Sequence, residues 1–454
     1  MVGSEFKKIR QDIGLSQSKL SELTGINQAL LSSYELGKSS ICDTKKKIIT
    51  DTLDALDSSK LSKLKKKRFR KEAIEGSCVA ERERRKYELT DKNHTYLNSL
   101  KGLEEKFFNN KTKMKAVSFF AGCGGLCYGV KAAGFNIVAT NELESAYQEI
   151  YKDNFGGARF LTSDITQIKD SELESITKEH GELDLMIGGP PCQGFSLAGK
   201  RDVNDSRNSL FENYLHIASM LKPKVILMEN VRLLTSMKDP DGNLVSDRVL
   251  QKFKEYGYTS SFYHLNAKDY GVAQHRERVF FIGIRNDLEM QPSVPEALNK
   301  GVLSQPMTFG DAVSDLEFLE SGEKSATDKD HKAVKHPEHV LRWLVDVPQG
   351  KSAHDNEDET LRPPSGYNTT YKRQVWGEPA GTVGTTYSMI SGCRNVHPIA
   401  TRSLTTREAL RLQSFPDSFK VKGNQGDIRT TIGNAVPPLL AYALAKHIKN
   451  NYIL

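Results

Sequence analysis

K-A-V-S-F-F-A-G-C-G-G-L-C-Y-G-V-K-A-A-G-F-N-I-V-A-T-N-E, residues 115–142, is the stretch that decides the fold. It contains an apolar strand, a glycine-rich turn, a helix and a second apolar strand. Three further apolar stretches follow, separated by helical stretches: L-D-L-M-I-G-G, K-V-I-L-M-E-N and R-V-F-F-I-G-I. Apolar strands that alternate with helices are typical of a parallel sheet covered on both faces. The sequence therefore predicts an α/β domain with a mainly parallel, Rossmann-like sheet.

The turn after the first strand has the glycine pattern of a nucleotide-binding loop. Its glycines permit a tight turn and let a ligand approach the backbone where the helix begins. Glu142 ends the second strand, where a carboxylate can accept hydrogen bonds from ribose hydroxyls, and Asp164 follows the third strand, where it can bind an adenine amino group. The pattern predicts a cofactor that contains adenosine, although acids on the surface at helix starts would give the same spacing. The predicted contacts are Phe120, Gly122, Gly124, Gly125, Glu142 and Asp164.

A cysteine stands on a loop rich in Pro and Gly, directly after an apolar strand. Residues 188–196 read G-G-P-P-C-Q-G-F-S, which puts Cys192 where a parallel sheet presents its reacting groups. Glu229, in E-N-V, follows another apolar strand of the same kind, so both side chains should project from one edge of the sheet. A thiol and a carboxylate in this arrangement suit a nucleophile and a general acid.

The last apolar strand is preceded by Q-H-R-E-R, residues 274–278. Arg276 and Arg278 alternate along the chain, so they should point to one side, towards a ligand or a phosphate. The alternative is an ion-pair cluster on the surface that includes Glu277.

Residues 1–57 have the pattern of a small helical domain. Ser16 is a good N-cap, Gly25 interrupts the helix, and Asn27 can cap the next one. The stretch S-Q-S-K-L-S-E-L-T-G-I-N-Q-A-L-L-S-S-Y-E-L-G-K resembles the helix-turn-helix domains of phage repressors of the Cro/C1 type. In that family the second helix enters the major groove by its N-terminal end, and the domains bind DNA as dimers. The resemblance implies that Asn27, Gln28, Ser32 and Ser33 reach base edges; the alternative is that they are merely exposed polar residues.

The positive charge of the chain is concentrated between residues 60 and 115. This segment holds 18 Lys or Arg against 8 Asp or Glu, which gives it a net charge of +10 in a chain of +7. Such an excess indicates a polyanion partner, and the alternative is a solvated helical linker. The chain has no long apolar run, no apolar signal core and no paired Cys spacing, so we expect a cytoplasmic, bacterial protein without a metal or membrane partner.

The ordered motifs of residues 115–454 resemble those of the DNA (cytosine-5) methyltransferase family. They are F-F-A-G-C-G-G, G-P-P-C-Q-G-F-S, E-N-V, Q-H-R-E-R, R-S-L-T-T-R-E-A-L-R-L-Q-S-F-P-D and G-N-A-V-P-P. The resemblance implies S-adenosylmethionine as the cofactor, and a cytosine flipped out of double-stranded DNA as the substrate. Cys192 matches the cysteine that attacks carbon 6, Glu229 the carboxyl at ring nitrogen 3, and Arg278 the contact to the base carbonyl.

The resemblance extends to supporting residues and to the domain plan. Arg276 is predicted to take part in the catalytic site and Gln274 to contact DNA, and both are predicted to support the loop. Pro191 and Asn434 are predicted to line the cofactor pocket. The expected domains are a helix-turn-helix domain at 1–57, a basic helical linker at 58–113, a catalytic domain at 114–286, a target-recognition region at 287–400 and a return to the catalytic domain at 401–454.

The sequence predicts a sequence-specific methyltransferase whose N-terminal domain represses transcription of its own restriction-modification genes. It also predicts a dimer through that domain and a cognate restriction endonuclease as a partner. The alternatives are a DNA-binding regulator whose methylase is inactive or secondary, an RNA cytosine methyltransferase, and a nicotinamide dehydrogenase. Intact Cys192, Glu229 and Arg278 argue against an inactive enzyme, and the repressor-type domain favours DNA over RNA.

Overall fold

The computed structural model describes residues 3–12, 15–53, 87–191, 210–239, 241–298 and 305–453. The chain divides into two compact units, Met1–Lys86 and Tyr87–Leu454. Cys192, the rest of the loop to residue 209, and residues 54–86 of the basic segment lie outside the described residues.

The N-terminal unit is a group of short helices around a small apolar core. Ser16 begins α2 by accepting a hydrogen bond from the Lys19 amide, and Gly25 ends it in the left-handed conformation with φ 66°. Asn27 then begins α3 by accepting from the Ala29 amide at 2.8 Å. The helices are α1 (Gly3–Asp12), α2 (Gln17–Thr24), α3 (Gln28–Glu35) and α4 (43–53). The helix, glycine turn and helix predicted from the sequence are therefore present.

One buried ion pair joins α1 to α3. Arg10 Nε and Nη2 donate to the two carboxylate oxygens of Glu35 at 2.7 and 2.8 Å, and the Gln17 amide donates to the same carboxylate. A two-pronged pair of this kind fixes both distance and orientation. It holds α3 against the rest of the unit while the N-terminal end of α3 stays exposed.

The larger unit is built on a seven-stranded sheet in the order β3-β2-β1-β4-β5-β7-β6. The first five strands in this order are parallel, and β7 is antiparallel to both β5 and β6. The strands are β1 (Lys115–Phe119), β2 (Asn136–Thr140), β3 (Arg159–Phe160), β4 (Leu185–Gly188), β5 (Val225–Val231), β6 (Tyr258–Asn266) and β7 (Glu277–Arg285). The predicted mainly parallel α/β fold is confirmed.

Helices cover both faces of this sheet, and two apolar cores result. Alternate residues of β4 show the division, because Leu185 and Ile187 belong to one core and Met186 to the other. The helices of the unit are α5 (Asn93–Phe108), α6 (Gly125–Ala132), α7 (Ser145–Asn154), α8 (Asp170–His180), α9 (Leu210–Leu221), α10 (Val245–Glu255), α11 (Phe309–Val313), α12 (Glu338–Leu344), α13 (Thr406–Leu412), α14 (Gln425–Asn434) and α15 (Pro438–Ile448).

Helix α5 differs from the expectation that residues 58–113 form a linker. Tyr96, Leu100, Leu103 and Phe107 recur at helical spacing and are all buried in the larger apolar core. Four such side chains are too few for an independent core. They are enough to form one apolar helix face that packs into the core of the larger unit. The end of the linker segment is therefore part of the larger unit.

The region predicted for target recognition, 287–400, is divided between two cores. Phe309 and Val313 on α11, together with Ala380 and Val383, belong to the core of the sheet. A separate small core gathers around α12 and is formed by Val340, Leu344, Val347, Ala353, Ile390 and Val396. The part of this region that forms a core apart from the sheet therefore comprises residues 340–353 together with residues 390–396.

The final helix, α15, packs against α6, which follows the first strand. Gly129 makes this close approach possible, because a Cβ there would lie 2.4 Å from the Tyr442 amide nitrogen and 2.5 Å from the Ala441 Cβ. The C-terminal segment thus covers the helix that carries the cofactor turn.

Candidate active site

Glu229, near the end of β5, forms an ion pair with Arg278 at the start of β7. Arg278 Nε lies 2.9 Å from Glu229 Oε1, and the carboxylate side chain is 12% exposed. The antiparallel pairing of β7 produces this contact, because it brings the start of β7 to the edge where β5 ends, with Val231 opposite Arg278. Burial raises the pKa of Glu229 above its ordinary value, against the positive charges of Arg278 and Arg276. The site therefore combines a carboxyl that retains its proton more readily with a fixed cation.

The loop that leads from β4 to Cys192 passes directly over Glu229. Asn230 Nδ2 donates to the Pro190 carbonyl at 2.9 Å and holds the two prolines in place. A Cβ at Gly189 would lie 3.0 Å from Glu229 Oε2, so only glycine leaves the carboxylate undisturbed. Pro191 is the last described residue before Cys192. Sequence reasoning assigned no role to Asn230 or Gly189, although the intact G-G-P-P and E-N-V motifs contain both.

Arg276 lies in the protein interior and supports the site without reaching it. Its side chain is fully buried, and Nη1 and Nη2 donate to the carbonyls of Val383 and Gly433 at 3.2 and 2.8 Å. Burial lowers the pKa of this guanidinium. Arg276 therefore ties the start of β7 to two distant loops, as expected of a residue that supports the loop.

Gln274 does not contact DNA as the sequence predicted, because its side chain is completely buried. Its Nε2 donates to the Leu412 carbonyl and to the Gln413 side chain, and its Oε1 accepts from the Val383 amide at 2.9 Å. All of its polar atoms are thus satisfied within the protein. Like Arg276, Gln274 joins the Q-H-R-E-R segment to the segment around residue 383.

Glu142 organises the turn after β1, where the sequence predicts the cofactor. Its Oε2 accepts a hydrogen bond from the Gly122 amide at 2.7 Å, and its Oε1 accepts from the Glu144 amide at 2.9 Å. Burial raises its pKa, while the backbone amides oppose that effect by favouring the charged form. The carboxylate therefore fixes the turn after β1 and keeps its remaining lone pairs for a ligand.

The glycines of this turn are required by its shape. Gly122 and Gly124 have φ of 57° and 93°, a region that disfavours other residues. A Cβ at Gly124 would lie 2.3 Å from the Phe155 ring, and one at Gly125 would lie 2.4 Å from the Val436 carbonyl oxygen. The turn is thus a tight cradle in which α6 begins against the segment that follows α14.

Phe120 is also in the left-handed region, with φ 54°, and its ring is partly buried. Asp164 is exposed and begins a short 3-10 turn, Ile165–Gln167, by accepting from the Thr166 amide. Asn434 is exposed at the end of α14.

Thr431, on the same helix, was missed by sequence reasoning. Its buried Oγ1 has no hydrogen-bond partner among the residues that the structure describes, and a Cβ at Gly122 would lie 3.7 Å from it.

An open cavity of about 540 Å³ adjoins Arg278. Its wall combines the end of β5, the start of β7 and two loops from the region 380–394. Residues on the wall are Val231, Arg232, Leu233, Asn266, His275, Glu277, Arg278, Thr382 and Arg394. The cavity therefore has both charged and apolar residues on its wall and lies beside the carboxylate site.

In the N-terminal unit, two of the side chains predicted to read DNA, Asn27 and Gln28, lie at the start of α3 and are exposed. The other two, Ser32 and Ser33, lie in the second half of this helix and are half-buried. The Asn27 side chain caps the helix by accepting a hydrogen bond from the Ala29 amide. Of these two side-chain amides, that of Gln28 is therefore the more available for a contact outside the protein.

Two negative observations apply to the described ranges only. No group of three His, Cys, Asp or Glu side chains there could hold a metal ion. None of the helices in those ranges has the length and apolar character needed to span a membrane.

Known proteins match both units of the chain. Residues 114–450 match the family described as C-5 cytosine-specific DNA methylase, and residues 6–41 match a helix-turn-helix family. The Type II methyltransferase M.DdeI of Desulfomicrobium norvegicum is 32% identical over 377 residues, covering 74% of this chain and 88% of that protein. The Type II methyltransferase M1.HphI of Haemophilus parahaemolyticus is 35% identical, covering 76% of this chain and 90% of that protein.

Solved structures show the same fold. A prophage-encoded Escherichia coli protein assigned as a DNA modification methyltransferase superposes with a TM-score of 0.59 at 23% identity, covering 74% of this chain and 99% of that chain. Given these matches, the chain belongs to the C-5 cytosine-specific DNA methylase family and is a DNA cytosine-5 methyltransferase that carries a helix-turn-helix domain.

Proposed function

We propose that the protein methylates a cytosine that is flipped out of double-stranded DNA, and that Cys192 forms a transient covalent bond to that base. The observation that carries this proposal is the pairing of Glu229 with Arg278 directly beneath the Gly189–Pro191 loop that leads to Cys192. A buried carboxyl with a raised pKa can hold a proton for the base, and the neighbouring guanidinium can bind the base carbonyl oxygen.

The reaction begins with attack by the Cys192 thiolate on carbon 6 of the cytosine. The electron pair of the 5,6 double bond moves towards ring nitrogen 3, where the Glu229 carboxyl donates a proton. Arg278 stabilises the carbonyl oxygen, so carbon 5 becomes the nucleophilic atom of an enamine. After carbon 5 has been methylated, a base removes its proton and the thiolate leaves from carbon 6 as the double bond re-forms. Ring nitrogen 3 returns its proton to the Glu229 carboxylate, which regenerates the acid.

The residues of the cofactor cradle fit S-adenosylmethionine, which supplies the methyl group when bound. Glu142 would accept hydrogen bonds from the ribose, and the exposed carboxylate of Asp164 would bind the adenine amino group. Phe120 and Leu143, which is 61% exposed beside Glu142, offer apolar surface to the adenine ring.

Replacement of the nucleophile tests this chemistry. The Cys192→Ala variant should lose methylation, while Cys393→Ala, which removes an exposed free cysteine, should retain it. A duplex with 5-fluorocytosine at the methylated position should trap the wild-type enzyme covalently, because fluorine does not leave as the proton does. Methylation by Cys192→Ala, or failure of the wild type to form an adduct, would contradict the covalent mechanism.

We also propose that the helix-turn-helix unit binds DNA upstream of the protein's own genes and represses them, as a dimer. The exposed start of α3 and the match of residues 6–41 to a DNA-binding family support this role, which methylation itself does not require. The type II relatives support a cognate restriction endonuclease acting on the same site.

A deletion that respects the structural boundary tests the regulatory role. A chain that starts at Tyr87 keeps the ring of this residue on Trp376, with centroids 5.0 Å apart, and keeps α5 in the core. It should methylate DNA normally and no longer bind the upstream DNA in a gel-shift assay. The full-length Gln28→Ala variant should weaken upstream binding roughly tenfold, whereas Gln11→Ala on α1 should not. Unchanged upstream binding by the shortened chain would disprove the proposal.

A further inference from the structure

Arg394 lines the cavity beside Arg278, and its charge has no carboxylate partner in the described part of the chain. The other two arginines of this wall are paired, since Arg278 binds Glu229 at 2.9 Å and Arg232 binds Glu277 at 2.6 Å. Arg394 is exposed, and no ion pair involves it among the described residues. The open cavity therefore has one positive charge that remains available to an anion.

The backbone at Arg394 adopts a conformation that favours glycine or asparagine. Its φ is 52°, and the loop around it is firmly held. The Arg394 amide donates to the Thr369 carbonyl at 2.9 Å, and the Asn395 side chain donates to the carbonyls of Thr386 and Met389. Non-glycine residues in this region concentrate at functional sites. The position thus points to a role for the arginine side chain itself.

Neighbouring residues leave room for the Arg394 side chain on the cavity wall. Gly381 leaves room for it, because a Cβ there would lie 3.3 Å from Arg394 Cδ. The next residue, Thr382, is fixed by the hydrogen bond of its Oγ1 to the His275 carbonyl at 2.7 Å. Burial lowers the pKa of His275, and the charges of Lys268 and Arg394 lower it further, which agrees with a guanidinium close to this wall.

We propose that Arg394 binds a phosphate of the DNA strand that carries the target cytosine and so positions that strand at the mouth of the active site. This assignment rests on the proposed function, in which the flipped cytosine is bound at Glu229 and Arg278. The phosphates on either side of a flipped nucleotide remain attached to it, so they must lie beside the pocket that takes the base. An unpaired guanidinium on an open wall is suited to phosphate, which it binds with charge-assisted hydrogen bonds.

Two substitutions at Arg394 separate its charge from its backbone conformation. Arg394→Asn removes the charge and keeps a residue that tolerates positive φ, so the loop should remain folded, as circular dichroism and thermal melting can verify. Arg394→Lys keeps the charge but not the planar fork that pairs with guanine. Arg342→Asn is the matched control, because Arg342 lies on α12 in the same region and is already paired with Glu338.

The assay is the rate of methyl transfer to DNA that contains the methylation site, with the DNA and salt concentrations varied. For Arg394→Asn we expect the KM for DNA to rise about tenfold and the slope of log kcat/KM against log salt to fall in magnitude by about 0.9, the value for one lost phosphate contact. The kcat at saturating DNA should be unchanged. Arg394→Lys and Arg342→Asn should remain within about threefold of the wild type.

Two results would overturn the proposal. One is an unchanged KM and salt slope in Arg394→Asn. The other is a relaxed methylation sequence in both Arg394 variants with the salt slope retained, which would identify a base contact instead. Failure of the underlying mechanism is distinguishable, because it would show as a wild-type enzyme that forms no adduct with 5-fluorocytosine, while the effect of Arg394 on KM could still be measured.

Discussion

Glu142 and Glu229 occupy equivalent places on the two halves of the sheet and are held in opposite ways. Glu142 follows β2 and is buried, Glu229 lies near the end of β5 with its side chain 12% exposed, and burial raises the pKa of both. Glu142 is held by the backbone amides of Gly122 and Glu144, whereas Glu229 is held by the guanidinium of Arg278. Amides on both oxygens give a rigid acceptor for a ligand. A single cation on one oxygen leaves the other oxygen of Glu229 facing the loop to Cys192, where a proton can be exchanged.

The largest expected effect is that of Glu229→Gln. The amide cannot donate an acidic proton to ring nitrogen 3, so kcat should fall by about 10²–10⁴-fold while the KM for S-adenosylmethionine stays the same. Steady-state methylation assays with each substrate varied in turn would measure both constants. A higher KM for S-adenosylmethionine with an unchanged kcat would show that the two carboxylates do not divide their roles in this way.

The reverse pattern is expected for Glu142→Gln. The new NH₂ group must face one of the two backbone amides, so one hydrogen bond to the turn is replaced by a repulsive contact. Loss of a charged hydrogen bond is worth about 1.5–3 kcal/mol, which corresponds to an increase of about 10–100-fold in the KM for S-adenosylmethionine. The kcat at saturating cofactor should change little. If the kcat of Glu142→Gln fell as far as that of Glu229→Gln, the proposed division between a cofactor-binding and a catalytic carboxylate would be wrong.

Glycine substitutions should reproduce the same division on a smaller scale. In Gly189→Ala the added Cβ would stand 3.0 Å from Glu229 Oε2 and displace it, so kcat should fall about tenfold. In Gly122→Ala the Cβ has room, but a φ of 57° costs about 1–2 kcal/mol, and the KM for S-adenosylmethionine should rise by about fivefold or more. Equal effects of both variants on kcat would contradict the comparison.

The smallest expected effect concerns pH. Since the pKa of Glu229 is raised in the folded state, its neutral form stabilises the protein below the ordinary carboxyl pKa, and this stabilisation is lost as pH rises through the raised value. The wild type should therefore lose thermal stability relative to Glu229→Gln across that window, and its kcat should decline over the same range. Melting curves of the two proteins at matched pH would check this, with Glu142→Gln as the second reference. Parallel melting temperatures at every pH would contradict a raised pKa.

The sequence predicted the mainly parallel sheet and the positions of Glu142 and Glu229 at the ends of its strands, because apolar strands and glycine turns are local patterns. It did not predict the direction of β7, and that direction decides how Arg278 meets Glu229. Arg276 and Arg278 look alike in the sequence, yet one is buried against carbonyls and the other lies at the site. Gln274 was assigned to DNA for the same reason, since a polar residue whose partners are distant backbone carbonyls cannot be distinguished locally from an exposed one.

Helix α5 shows a second limit of local patterns. Its apolar residues are spaced for one face only, which is equally typical of a solvated linker helix and of a helix that packs on a separate unit. The surface that it covers is formed by residues far along the chain, as the hydrogen bond from the Tyr96 hydroxyl to the Arg411 carbonyl illustrates. Such a partner cannot be inferred from the helix alone.

The packing of α15 on α6 has a consequence for the order of events during synthesis. The apolar core of the N-terminal unit lies within residues 6–53, whereas the turn proposed to cradle the cofactor is completed only when residues 436–448 have been made. At about 5–20 residues per second, the intervening 400 residues or so take on the order of 20–80 s to translate. Each new chain therefore has a folded DNA-binding unit for tens of seconds before it can have a complete enzyme.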